Sequence, residues 1–403
     1  MKFINKVTKE EYETLWKNTP NNHFMQSYEW GEAQQKNRGY TSFYVGLKDD
    51  NDKLVAAALL LKKKTPFNMC YFYCPRGFTM DYNNQEYLKE FTNGLKNFLK
   101  EQNAIYLKLD PPIMYQEIDI DGNKVENGKN NYQIFNNFIN LGYKHCGFNK
   151  LYEGNQPRYT FRTYFNKYKD LDEIVSKMSS SFTKQLKRSY NYDLEIYEND
   201  NIDNFYELIK IVSNKNGFHE YTHDYYKTVF DKFKDKKYIK VFEAKINPNH
   251  IIKKFTEDLE KEKIPSKRTK LEKDIEYFRN IENKNEEIVI ASLICTYSKT
   301  GAWSLYIGND KIAEYTGTVN RLYYEFIKDA YENKYEYFDL FGVTGDPKTK
   351  FKNLAGIYEY KRKFGGEYIE FIGEFDLVNK SLWYTILPLM LKTYRKIRRI
   401  IKK

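Results

Sequence analysis

From Glu10 to Gly366 one succession of helices and strands is written twice, and this repetition constrains the fold more than any other feature. In the first copy, apolar spacing predicts helices over residues 10–18 and 28–38. A strand over 43–47 turns at Asp49-Asp50-Asn51-Asp52 into a second over 54–60. An amphipathic helix carrying Phe91, Leu95, Phe98 and Leu99 leads to a strand over 105–109, and a helix over 134–140 ends at Gly142. The second copy repeats the order, with helices over 204–212 and 225–233 and strands over 239–244 and 288–294. It continues with a helix over 321–331, a strand over 337–340 and a helix over 358–363 that ends at Gly365-Gly366. Alternation in this order predicts an α/β (α+β) chain of two related domains, each with a mainly antiparallel sheet. A length of 403 residues agrees with two or three units.

The copies differ most where the second replaces its hairpin loop with residues 245–287. Ile252, Phe255 and Leu259, then Leu271, Ile275 and Phe278, follow the 3–4 spacing of an apolar seam, broken at Pro265-Ser266 with Ser266 as the expected N-cap. Eleven basic and ten acidic residues interleave along it, the pattern of a solvated two-helix antiparallel arm. Such an arm pairs internally, so a short turn is expected to replace it without unfolding the chain. It reads equally as a spacer or as a contact for tRNA or a protein partner.

Charge is uneven. Of the net +11, eight basic residues with no acidic one lie in residues 377–403, leaving +3 for the other 376. The body is therefore too mildly basic to argue for nucleic acid by itself. In the tail, Leu382, Trp383, Ile386 and Leu387 begin an apolar segment that Pro388 interrupts. Leu391, Tyr394, Ile397 and Ile401 continue it at helical spacing, with cations opposite. Residues 382–403 read as an interfacial helix for anionic membrane, or as a segment whose apolar half packs on the first domain. Met1-Lys2-Phe3-Ile4-Asn5-Lys6 has no apolar core of a leader, and no run approaches the ~20 residues of a span. The expected address is the cytoplasm, with peripheral contact on the inner membrane face.

His219-Glu220-Tyr221-Thr222-His223 matches HExxH. Thr222 is the expected cap of a helix beginning near Asp224, so the two imidazoles would straddle a loop-to-helix junction, and no metal site is expected. Neither copy carries the glycine-rich loop that holds a coenzyme A pyrophosphate; after Tyr306-Ile307-Gly308 comes Asn309-Asp310-Lys311, and no cofactor is expected. Lys184, Lys187 and Arg188 lie three and four apart, a face for phosphate or simply for solvent. Lys361 stands among aromatics near a helix end, as a cation favoured by the dipole or as a reactive group.

A collinear set of motifs runs through nearly the whole chain. It comprises Gln26-Ser27-Tyr28-Glu29-Trp30, Tyr73-Cys74-Pro75-Arg76-Gly77-Phe78, Leu107-Lys108-Leu109-Asp110-Pro111 and Gln156-Pro157-Arg158-Tyr159-Thr160-Phe161. Leu305-Tyr306-Ile307-Gly308, Tyr337-Phe338-Asp339-Leu340-Phe341-Gly342, residues 358–366 and Ile372-Gly373-Glu374-Phe375-Asp376-Leu377 follow. Together they resemble the Fem family, the FemA, FemB, FemX and MurM-like aminoacyltransferases that build peptidoglycan bridges.

The resemblance implies two acetyltransferase-like (GNAT-type) domains that do not use acetyl-CoA. These would be residues 1–153 plus 374–403 and residues 154–373, with the coiled-coil arm at 245–287 inserted in the second. The implied reaction is attack by a stem-peptide amine on the ester of aminoacyl-tRNA. Its acceptor would be a peptidoglycan precursor, either lipid II or UDP-MurNAc-pentapeptide.

The resemblance also implies site residues. Lys361 matches the family's essential lysine, and Asp110 a carboxylate near the precursor peptide, so both are expected to be catalytic. Tyr306 matches a substrate-lining tyrosine, and Arg76, inside a matching motif, is expected to bind substrate. Lys184 and Lys187 fall where relatives carry phosphate-gripping arginines. Relatives also carry a lysine four residues after the first motif's Trp; here that position is Gln34, and Lys36 is the expected substitute. Two other readings stand beside this one: a non-catalytic binder of tRNA or precursor, and a GNAT-like N-acyltransferase with a divergent coenzyme A site.

Overall fold

The computed structural model describes residues 1–20, 22–281 and 286–388. The first copy runs β1 (Lys2–Ile4), α1 (Lys9–Asn18), α2 (Tyr28–Arg38), β2 (Thr41–Lys48), β3 (Leu54–Thr65), β4 (Met69–Cys74) and β5 (Thr79–Met80). It continues through α3 (Gln85–Glu101), β6 (Ala104–Leu109), β7 (Met114–Glu117), α4 (Tyr132–Asn140) and β8 (Tyr143–His145). The second copy opens with β9 (Tyr159–Tyr164), α5 (Leu171–Lys177), α6 (Ser180–Ser189), β10 (Leu194–Asn199), α7 (Asp203–Asn216), α8 (His223–Lys234) and β11 (Ile239–Ile246). The arm follows as α9 (Pro248–Lys261) and α10 (Pro265–Arg279). After it come β12 (Ile288–Tyr297), β13 (Gly301–Asn309), α11 (Lys311–Thr316), α12 (Thr318–Glu332), β14 (Tyr337–Val343), α13 (Lys352–Arg362), β15 (Glu367–Phe371) and β16 (Phe375–Val378). A last helix, α14, covers residues 381–388. Among the described residues no helix is long and apolar enough to cross a membrane.

Local chemistry explains the element ends that matter here. Thr8 and Glu11 form a reciprocal capping box on α1. Ser27 caps α2, and Gly39 closes it in the left-handed conformation. Strand β3 buries both faces, which is why it reads as one apolar run. Ala56, Ala58 and Leu60 join the core under α3, while Ala57, Leu59 and Leu61 join the core under α1 and α2.

The copies form two sheets, ordered β1-β2-β3-β4-β6-β16-β8 and β10-β11-β12-β13-β14-β9-β15-β7, with β5 on β3. Each is antiparallel except for one parallel pair, β4 with β6 and β13 with β14. The chain exchanges strands between them. After β8 it crosses to place β9 between β14 and β15; after β15 it crosses back to place β16 between β6 and β8. Strand β7 also leaves its own copy to pair with β15. A shared core joins the copies, with Tyr12, Trp16, Phe24 and Trp30 packed beside Phe205, Tyr226, Phe230, Trp303 and Tyr337.

The arm departs from its sequence reading in two respects. Helix α10 starts at Pro265 with Ile264 at the cap position and no side-chain cap, so Ser266 lies inside the helix. The arm is also not free-standing, because Ile251, Phe255, Ile275 and Phe278 are buried in the core of the second copy. Tyr192 packs on Phe255 and Phe278 at 5.7 and 5.8 Å, and Tyr315 stacks on Tyr277 at 4.1 Å. The tyrosines Tyr192 and Tyr315 both donate to the buried Asp274 carboxylate. The seam is therefore a core seam, shared with the sheet beneath it.

In the tail, Leu387 is buried against Met69 and Ile105, with Trp383 and Tyr384 packed beside it. Leu391, Tyr394, Ile397 and Ile401 and the cations from Lys392 to Lys403 lie outside the described residues.

Candidate active site

Lys361 is half-buried in the last turn of α13 and is aimed by an irregularity in β14. Pairing of β14 with β9 breaks between Asp339 and Gly342, and Phe341 adopts φ +60°, a costly conformation for an aromatic residue. Asp339 sustains it. Its Oδ1 accepts the Phe341 N–H at 2.7 Å and the Thr160 hydroxyl at 2.5 Å, and its Oδ2 accepts from Arg162 Nε at 3.0 Å. Thr160 also donates to Phe341 O at 3.1 Å.

The turn presents two successive carbonyls to the lysine, whose Nζ donates to Phe341 O at 3.2 Å and Gly342 O at 3.0 Å. An ammonium has three donors, so one N–H is left for a substrate. Burial pulls the Lys361 pKa down to about 8, and Asp339 opposes that fall.

Asp110 ends β6, on the other side of Arg76. It is buried, accepting the Tyr73 hydroxyl on Oδ2 at 2.7 Å and the Arg76 N–H on Oδ1 at 2.6 Å. Arg76 holds that orientation with φ +57°, next to Gly77 at φ +71°. Burial pushes the Asp110 carboxyl up to about 7; Glu374 adds to the rise, while Arg76 and Tyr73 resist it. The Arg76 guanidinium lies 5.8 Å from the Phe341 ring, and so links the Asp110 side of the site to the Lys361 side.

These groups border two adjoining cavities that share Gln156. The smaller, about 360 Å³, is lined by Arg76, Asp110, Arg158 and Glu374. The larger, about 940 Å³, is lined by Tyr73, Tyr306, Tyr221, Tyr225 and Phe341, with Arg38 and Lys63 as its cations. Tyr306 packs on Tyr226 at 5.2 Å, and the Arg38 guanidinium lies over Tyr221 and Tyr225 at 5.2 and 5.4 Å. Burial lowers the Lys63 pKa, and Arg38 nearby lowers it further. None of the described residues lining this cavity is acidic, although Asp110 and Glu374 next door offset part of the fall at Lys63. The two cations form a place for an anionic ligand.

Asp110 and Arg76 thus line the smaller cavity and Tyr306 the larger one next to it, while Lys361 lines neither and reaches the larger through its bond to Phe341 O. Lys36, Lys184 and Lys187 stand apart from both. Lys36 is exposed on α2 and opens onto other surfaces, while Lys184 and Lys187 are exposed on α6 and line neither cavity. Arg188 does not share their face toward solvent, lying instead 4.5 Å from the Tyr315 ring, against the arm.

The cleft cations were missed in the sequence, although Arg38 had a legible mark. It lies four residues beyond Gln34, on the same helical face, whereas Lys36 is two residues on and points elsewhere. Lys63 lies two beyond Leu61 on β3, so alternation puts both on one face. Asp339 carried no mark beyond its place in a motif.

The rival chemistries fare poorly in this geometry. Thr222 accepts from Tyr225 N at the start of α8, His223 pairs with Asp203 at 2.8 Å, and His219 stays in the preceding loop. The helix starts after β4 and β13, where a pyrophosphate would sit in an acetyltransferase, are closed by their own caps. Asn84 accepts from Tyr87 N, and Asp310 accepts from Ala313 N.

Comparison with known proteins decides the family, since the FemAB family model matches residues 7–392. The chain belongs to the FemAB family. It is 26% identical to the lipid II:glycine glycyltransferase of Staphylococcus epidermidis over 429 aligned residues, covering 98% of each protein. It is likewise 26% identical to the aminoacyltransferase FemA of Staphylococcus aureus over 427, covering 96% of this chain and 98% of that one. The crystal structure of FemX superposes with a TM-score of 0.77 at 22% identity, covering 96% of this chain and all of FemX, which places the two in one fold. This FemAB chain is an aminoacyltransferase with the mixed α/β, two-sheet fold it shares with FemX.

Proposed function

We propose that the enzyme takes an amino acid from aminoacyl-tRNA and adds it to the stem peptide of a peptidoglycan precursor, building the interpeptide bridge. The observation that carries the reading is the adjacency of two cavities, one lined by Asp110 and Arg76 and the other by tyrosines, Arg38 and Lys63, with Lys361 bonded to the carbonyl of Phe341 in the second wall. The donor ester is already activated, so the protein has to align two substrates and stabilise charge. As the amine attacks, a C–N bond forms and the ester C–O bond breaks. The ribose oxygen leaves with a proton, and the amine loses one. The remaining N–H of Lys361 serves the developing oxyanion, and Asp110, poised near 7, serves the amine side.

Arg38 and Lys63 hold the precursor's phosphates, and Tyr306 and Arg76 border its path. The acceptor is lipid-linked, and residues 382–403 bring the cytoplasmic enzyme to the inner membrane face.

A matrix of charged tRNAs against lipid II and UDP-MurNAc-pentapeptide, read by mass spectrometry, tests the reading. One pairing should add the mass of one amino acid; no increment in any pairing would refute it. The protonation state supplies a second check. Lys361 is a cation below about 8 and loses its proton as pH rises through that value, so kcat/KM should decline on the alkaline side with a limb near 8. A profile flat to pH 9.5 would show that the ammonium is not required.

A further inference from the structure

The sheet face that bears Lys63 does not end at the cleft. Lys63 lies 5.2 Å from the Tyr73 ring, which lines the cleft, and 5.5 Å from the Tyr71 ring beyond it. Tyr71 stacks on Tyr106 at 5.1 Å, and Tyr106 meets Tyr384 of α14 edge-on at 5.3 Å. Four residues past Lys63, on the order of 13 Å along an extended strand, the chain turns at residues 66–68 between β3 and β4. Phe67 at the tip is 69% exposed, and its ring lies 5.6 Å from Trp383; Leu382 beside it is 70% exposed. Two remote segments thus bring large apolar side chains together at the outer edge of the small core around Leu387. Phe67 is held at φ +61°, where bulky residues are rarely found.

The surroundings are cationic. Lys64 is exposed next to the turn, and exposed Lys144 lies 5.1 Å from the Tyr384 ring. Asp376, which accepts from the Tyr384 hydroxyl, is buried and engaged by Lys108. Beyond α14 the sequence adds seven cations from Lys392 to Lys403 and no acid. Exposed Phe and Leu beside a Trp, ringed by lysines, fit the boundary between acyl chains and anionic headgroups. A nucleic-acid backbone would leave the apolar pair unused.

We propose that the Phe67 turn and the outer side of α14 form one docking face for an anionic membrane, opening along the tyrosine path onto the cleft. The inference extends the membrane contact proposed for residues 382–403 and is independent of the donor.

The test uses the full chain with vesicles of phosphatidylglycerol and phosphatidylcholine, and with phosphatidylcholine alone. The protein should pellet with the anionic vesicles, and its fluorescence should shift to the blue. The other three tryptophans, Trp16, Trp30 and Trp303, are buried, so the shift reports Trp383. The double variant F67S/L382S, checked for an unchanged melting curve, should partition about tenfold or more weakly. Binding of that variant equal to the parent would refute the face while leaving a membrane contact through the basic tail. No binding by the parent would refute both. A Trp383 response to tRNA and none to vesicles would make the surface a nucleic-acid contact and overturn the proposal.

Discussion

Replacing Lys361 with Met should lower transfer about a thousandfold while leaving a folded protein. A positioned donor on a developing oxyanion is worth about 3–4 kcal/mol of barrier, and Met removes it at nearly constant volume. The fold loses two hydrogen bonds, to Phe341 O and Gly342 O. Gly342 O keeps the Tyr152 hydroxyl at 2.8 Å, while Phe341 O keeps only a share of the Thr160 proton that Asp339 also accepts, so the melting temperature should fall modestly. Removing a buried ammonium also relieves the burial that depresses its pKa. Single-turnover rates and calorimetric melting on the same samples separate the two effects. More than a tenth of the parent rate in K361M would return Lys361 to an ordinary helix-end cation.

Excising the arm should prevent folding. Ile251, Phe255, Ile275 and Phe278 are each buried in the second core, and each large apolar side chain contributes about 1.5–3 kcal/mol. Four such residues contribute roughly 6–12 kcal/mol, comparable to the ~5–15 kcal/mol that stabilises a whole domain. Excision would also uncover Tyr192 and Tyr315 and remove Asp274, which accepts from both hydroxyls. Joining β11 to β12 with a short Gly/Ser turn satisfies the hairpin but not this surface. The expected product is insoluble, or lacks a cooperative melt. A soluble variant melting like the parent would show that the arm is the detachable spacer its charge pattern suggested. Most of the described charges are exposed as expected, but Asp274 is buried, and the apolar seam was credited only to the partner helix.

What the sequence determined by itself is what local periodicity and turn chemistry encode. The duplicated order of elements, the helix pair of the arm, and the Thr222 cap that separates His219 from His223 all follow from spacing within one segment. The family resemblance added Asp110 and Arg76, which line one cavity, Tyr306, which lines the next, and Lys361, which is bonded behind Phe341. Only the tertiary structure decided the pairing of β7 with β15 in the other copy's sheet, since a strand's alternation specifies its buried face and not the strand it will join. The same limit hid the turn at Phe341. No glycine marks that position, and its left-handed backbone is held by Asp339 and Thr160 on two different strands. Lys36 was chosen by nearness to Gln34 and Lys184 and Lys187 by their match to arginines of relatives, whereas Arg38 and Lys63 face the cleft because helix and strand geometry turn them toward it. A binding site is a convergence of faces, and which faces converge is fixed by packing between segments far apart in the chain.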